Sequence, residues 1–207
     1  MIEINREVVL NKIVDLVLNI EVVTFRGEAF SPNLTEAVVL LKKTICDMGH
    51  EFVPILKKKY NETGDHLLIE LLGIISDPQT LSFLIHSYEH ADFMSGMVAL
   101  TAIRNLGVNE AYEYINNLLS SFLRKETHIK VLSTSEIVVM CNALGEWMNP
   151  IAIETLKEAI SIDEFPEMPK AAINALANFK QAHEFLNELA SQEPKLSTII
   201  QNALDQY

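Results

Sequence analysis

Cysteine is nearly absent. Only Cys46 and Cys141 occur among 207 residues, each inside an apolar stretch. Two isolated thiols give neither a disulfide framework nor the paired spacings of a zinc site, and both are expected to be reduced and buried. Long apolar runs are missing too: no segment reaches the ~18 consecutive apolar residues of a membrane helix. The opening Met1-Ile2-Glu3-Ile4-Asn5 puts acid before base and offers no small-residue cleavage site, so a signal peptide is not expected. These absences predict a cytoplasmic chain with no membrane contact. Glycine and proline number seven each, and no phosphate-cradling glycine loop is formed. Ser120, Ser121, Ser133 and Ser135 have no glycine elbow around them.

Positive charge is scarce as well. Sixteen Lys and Arg face 28 Asp and Glu, for a net charge of −12. Residues 1–59 are neutral, with eight side chains of each sign, whereas 60–123 hold eight acids and one base, Arg104. Residues 124–207 add seven bases and twelve acids. Nucleic-acid binding needs a basic stripe to neutralise phosphate, so no nucleic-acid partner is expected. A basic protein or peptide is the complement of such a surface, although acidity also serves plain solubility.

What the chain does have is a recurring phrase. Glu70-Leu71-Leu72-Gly73, Arg104-Asn105-Leu106-Gly107 and Asn142-Ala143-Leu144-Gly145 are followed by a degenerate Asn174-Ala175-Leu176-Ala177. Offsets of 34, 38 and 32 residues fall in the range of stacked helix pairs. Ser76-Asp77-Pro78 follows the first copy and Asn149-Pro150 the third. In both, the Asx residue lies four positions past the glycine and the proline five. Asx satisfies an orphan N–H of the next helix, and proline at the first helical position forfeits no bond. The Leu-Gly pair is expected to close the preceding helix, glycine taking the left-handed conformation. Leu81 and Leu84 after Asp77 match Ile153 and Leu156 after Asn149, one helical face in each case. In the middle copy Asn109 is the expected cap, with Tyr112, Ile115 and Leu119 as the face. An irregular bundle with unrelated turns is the competing reading.

The stretch Leu72-Gly73-Ile74-Ile75-Ser76-Asp77-Pro78-Gln79-Thr80-Leu81-Ser82-Phe83-Leu84 resembles the core of a HEAT-like repeat, of the type named after phycobilisome lyases. The resemblance covers roughly residues 63–207. It implies an all-α, right-handed α-solenoid, a superhelix of stacked helix pairs of the HEAT/armadillo kind. It carries over no catalytic residue, because the shared motif is structural. The long 124–134 connection and Ala177 in place of glycine depart from the pattern.

Periodicity predicts helices over 3–24, 33–48 and 52–60, then 67–75, 78–90, 93–106, 110–123, 134–148, 150–161, 168–180, 182–191 and 195–206. A loop is expected from Phe25 to Pro32 and a turn over residues 61–65. Residues 1–60 lack the clean phrase and read as an atypical helical cap. Residues 61–207 read as about four repeats, the whole as one α-solenoid domain. The most acidic connection is Ser161 to Pro169.

Three features could carry chemistry. His86-Ser87-Tyr88-Glu89-His90 matches the H-x-x-E-H pattern of inverted zinc peptidases, with both histidines on one helical face. Nothing else in the chain suggests such a peptidase domain, and accidental surface histidines are the expectation. Lys57-Lys58-Lys59 is the one dense basic run, placed at a helix end where cations are favourable. Arg124, Lys125 and Lys130 form a smaller one. Trp147 is expected in the core; exposed, it would be a binding anchor.

The expected function is therefore a non-enzymatic scaffold or adaptor without cofactor or metal, presenting a concave helical surface to a protein or peptide. The second helix of each pair would line it, which makes Arg104, Asn105, Asn142, Glu146 and Asn174 the candidate contact residues. An acidic immunity-type inhibitor of a basic toxin is one alternative. A ligand-handling or lyase-like member of the repeat family is another.

Overall fold

The computed structural model describes residues 6–25, 39–40, 42–47, 49–90, 92–126, 131–162 and 165–206. The expected loop over 26–32, the start of the second helix, Lys130, and Asp163 with Glu164 lie outside them. Among the described residues every regular element is helical, and no helix is long and apolar enough to cross a membrane. The chain divides into two compact units, Met1–Leu106 and Gly107–Tyr207.

The first unit holds α1 (Arg6–Phe25), α2 (Val53–Thr63), α3 (His66–Ile75), α4 (Leu81–His90) and α5 (Phe93–Asn105), with 3-10 turns at Gly49–Glu51 and Pro78–Thr80. Residues 39–40 and 42–47 are helical as well. The second unit holds α6 (Asn109–Leu123), α7 (Thr134–Trp147), α8 (Ala152–Ile160), α9 (Glu167–Ala177), α10 (His183–Gln192) and α11 (Pro194–Leu204). From α2 onward the ends fall within about three residues of the periodicity reading, the usual boundary uncertainty. The expected turn over 61–65 starts later, because α2 runs through Thr63 and stops at Gly64 in the left-handed conformation (φ 69°).

Local signals explain the helix starts. Asp65 accepts from the Leu67 N–H at 3.0 Å, and Asp92 accepts from the Ser95 N–H at 2.9 Å. Ser133 and Glu136 form a reciprocal capping box at the start of α7. Asn109 is not the cap of α6: Val108 occupies that position without a side-chain bond.

Each unit is organised around one helix buried nearly all round. In α3, Leu67, Leu68, Ile69, Leu71, Leu72 and Gly73 are buried; past the first residue, His66, only Glu70 turns outward before Ile74. It packs between α2 and α5. In α9, Met168, Ala171, Ala172, Ile173, Ala175, Leu176 and Ala177 are buried, and the helix contacts α7, α8, α10 and α11. Full burial of a leucine or isoleucine contributes about 1.5–3 kcal/mol, so these two helices carry much of the hydrophobic stabilisation. Of the matching stripes, Leu84, Ile153 and Leu156 are buried as expected and Leu81 is half-buried.

The phrase glycines do something other than expected. Gly73 and Gly145 lie inside α3 and α7 with ordinary helical backbone. The left-handed residues come three positions later, at Ser76 (φ 54°) and Met148 (φ 54°). A Cβ on Gly73 would stand 2.7 Å from both Cα and Cβ of Ala102. A Cβ on Gly145 would stand 2.8 and 2.9 Å from the same atoms of Ala175. These two glycines are therefore absent of side chain so that α3 can reach α5, and α7 can reach α9. Gly107 (φ 63°) does take the left-handed conformation, which makes it the counterpart of Ser76 and Met148 rather than of Gly73. A Cβ on Gly107 would meet nothing within 4 Å.

Gly73→Ala and Gly145→Ala should each destabilise by about 1–3 kcal/mol, overpacking outweighing the ~1 kcal/mol helix-propensity gain. Equilibrium denaturation measures this; a stabilised variant would refute the close-contact role. Met148→Gly should instead stabilise by about 1 kcal/mol, since a β-carbon in the left-handed region is strained and the side chain is 59% exposed. Ser76→Gly should show no such gain. The Ser76 hydroxyl donates to the Gly73 carbonyl at 2.8 Å and lies 3.0 Å from the Asn105 carbonyl, bonds that are lost with it.

Candidate functional site

The five candidate contact residues fall into two groups, one per unit. In the first unit Arg104 is half-buried and Asn105 exposed at the end of α5. In the second, Asn142 and Glu146 are exposed one turn apart on α7, and Asn174 is exposed on the neighbouring α9. The close α7–α9 packing places these three on paired helices.

Around Asn105 the first unit forms an open groove of about 220 Å³, lined by Glu70, Met97, Val98, Thr101, Ala102 and Asn105. Its floor is the apolar α3–α5 seam. Glu70 at its rim accepts from Lys42 Nζ at 3.2 Å. Glu70 belongs to the recurring phrase and was visible in the sequence, but Met97, Val98 and Thr101 acquire a role only once α3 and α5 are paired. The left-handed turn of α3 abuts the same seam, through the Ser76–Asn105 bond.

That turn also holds a buried charge. Asp77 is 5% exposed; its Oδ1 accepts from the Gln79 N–H at 2.9 Å, and its Oδ2 accepts from His50 Nδ1 at 2.7 Å. The His50 hydrogen bond is the main reason its carboxyl titrates below the usual range, assisted by the Gln79 amide and opposed by burial. The second unit repeats the turn without charge, Asn149 Oδ1 accepting from the Ile151 N–H at 3.1 Å.

Trp147 is half-buried rather than enclosed in the core. It stacks on Tyr112 at 5.5 Å between centroids and 15° between planes, and its Nε1–H donates to Asn109 Oδ1 at 2.9 Å. Asn109, read from the sequence as a helix cap, thus ties the start of α6 to the end of α7. Neighbouring Met148 and Ile151 are exposed.

The basic run Lys57-Lys58-Lys59 lies in the middle of α2, not at its end, so the helix terminus does not account for it. Its members diverge. Lys57 donates to the Gln79 carbonyl at 3.3 Å and lies over Phe83. Lys59 pairs with Asp15 at 2.6 Å, and Lys58 borders a second groove with Glu7, Asn11 and Glu51. Spread over three partners, they make no concentrated phosphate cradle.

Reactive groups are muted. Burial pushes the Cys141 thiol up to about 12, which leaves no thiolate near neutral pH. Cys46 is half-buried, contrary to the expectation of full burial, and burial and then Asp47 raise its thiol as well. Among the described residues no group of three or more His, Cys, Asp or Glu side chains could hold a metal ion. His86 and His90 are exposed, with ring centroids 4.1 Å apart. Comparisons with protein-family models, curated proteins and solved structures returned no match.

Two variants separate the roles of Asp77. Asp77→Ala removes the cap and should destabilise by about 1 kcal/mol. Asp77→Asn keeps the cap, as Asn149 does in its own turn, and loses only the bond to the 82%-exposed His50 ring, about 0.5 kcal/mol after solvent screening. Because the folded carboxyl titrates below its unfolded value, its stabilisation is complete above the unfolded value and disappears as pH falls through the folded one. Stability of Asp77→Asn should therefore fall less steeply on acidification than that of the parent. Parallel acid limbs in urea titrations would show the ion pair to be inert.

Proposed function

We propose that this chain is a HEAT-like helical-repeat scaffold of the α-solenoid kind that binds another protein through the exposed polar positions of its close-packed helix pairs. The observation that carries the reading is the repetition of one structural device 72 residues apart: Gly73 with Ser76-Asp77-Pro78, and Gly145 with Met148-Asn149-Pro150. In each unit a glycine draws two helices together, a left-handed residue ends the first, and an Asx-Pro turn starts the next. Repeating units of that sort serve mainly as binding surfaces.

The polar candidates support the same reading. Asn142, Glu146 and Asn174 are exposed on close-packed helices, and the Glu70–Asn105 groove is open, suited to a peptide edge more than to an enclosed small molecule. The acidic excess favours a basic partner. That charge also accommodates the narrower role of an inhibitor of a basic toxin.

Affinity capture from native lysate at low and high salt tests the proposal, with an Asn142→Ala, Glu146→Ala, Asn174→Ala variant run beside the parent. One partner is expected, weakened by salt and lost or reduced about tenfold or more by the variant, with unchanged thermal unfolding. A partner held equally by both proteins would remove the assigned surface. Absence of any partner at either salt would remove the scaffold reading, and a basic toxin in the eluate would select the inhibitor role.

A further inference from the structure

The pair His86 and His90 has a geometry that the scaffold reading does not use. Both lie on the solvent side of α4, one turn apart, with His90 in the helix's last turn. Their ring centroids are 4.1 Å apart, with an interplanar angle of 36°, so the two imidazoles are already side by side. Nδ1 of His90 is 2.9 Å from the His86 carbonyl oxygen. A carbonyl can only accept, so Nδ1 carries the proton. In the neutral ring this leaves the lone pair on Nε2, at the outer edge. A ring N–H fixed on a backbone carbonyl is the usual outer-shell arrangement that sets a metal-binding histidine's tautomer and orientation.

We propose that His86 and His90 form a two-point surface chelate for a borderline divalent transition cation, preferring Cu2+ over Zn2+. Imidazole pairs suit both ions, and the order of affinities places copper first. The local field favours a cation: the carbonyl end of α4 carries the negative pole of the helix dipole, and Glu89 adds a carboxylate to the same turn. Water completes the coordination sphere, which is why no third protein ligand is needed and why the site differs from a peptidase centre. The proposal is for a binding site only.

Titration of the untagged, full-length protein with Cu2+, followed by calorimetry and by the copper electron-spin spectrum, tests the chelate. One saturable equivalent is expected, with nitrogen hyperfine structure from two imidazoles. His86→Ala and His90→Ala should each weaken binding at least about tenfold. Because both positions are exposed, the variants should keep the parent's circular dichroism. In a Zn2+ titration, the ring proton resonances of His86 and His90 should move, while those of His50 and His183 stay in place. Unchanged affinity in the double variant, loss in only one of the single variants, or no saturable binding below about 1 mM would each overturn the proposal.

Discussion

Two helix–helix contacts without an intervening side chain govern the described structure. Where Gly73 meets Ala102, and where Gly145 meets Ala175, a single added methyl group would stand under 3 Å from backbone and side chain alike. Protein interiors are packed closely enough that a methyl group cannot be absorbed there without movement. Each contact fixes how near one helix lies to its neighbour and which faces meet. In the first unit it sets the α3–α5 seam, and so the floor of the Glu70–Asn105 groove. In the second it sets the α7–α9 seam beside which Asn142, Glu146 and Asn174 emerge.

The same device is filled differently in the two units, and the differences are physically informative. Both pairs are also tied across the seam by a polar bond, but in opposite senses. The Ser76 hydroxyl reaches from the end of α3 to the Asn105 carbonyl, whereas the Asn178 amide reaches from just past α9 back to the Gly145 carbonyl at 3.1 Å. The left-handed residue is a serine that uses its hydroxyl in one unit and a largely exposed methionine in the other. The Asx position is a buried, His50-bonded aspartate in one and a neutral asparagine in the other. What recurs is backbone conformation and close approach; what varies is the side-chain chemistry that secures them.

That division explains what could be read from the sequence. The helices were legible because apolar spacing and Asx-Pro starts are local signals. The glycine role was not, because Leu-Gly before a turn is compatible both with a left-handed helix end and with a bare face for a neighbour. The residues just after each glycine, Ile74-Ile75 and Glu146-Trp147, were the available clue: they prolong the helix past it, whereas Gly107 is followed almost at once by the next helix. The exposed candidates Asn105, Asn142, Glu146 and Asn174 were legible from helical phase alone. The groove residues Met97, Val98 and Thr101 were not, since only the pairing of α3 with α5 brings them beside Glu70. The Trp147–Asn109 bond joins residues 38 apart, and no local rule connects them.

A binding surface made from paired helices requires that its polar groups hold fixed spacings, and here the fixing element lies directly beneath them. Asn142 and Glu146 flank Gly145 on α7, while Asn174 immediately precedes Ala175 on α9. The residues proposed to meet a partner are thus within a turn of the contact that sets the helix separation. Little conformational entropy remains to be lost in the backbone when a partner binds, which is the condition under which few polar contacts suffice. Side chains on a looser helix pair would have to be ordered at the moment of association. The close glycine–alanine approach therefore links the packing of the fold to the proposed function: it excludes bulk from the seam and in doing so holds the exposed positions above it in a constant array.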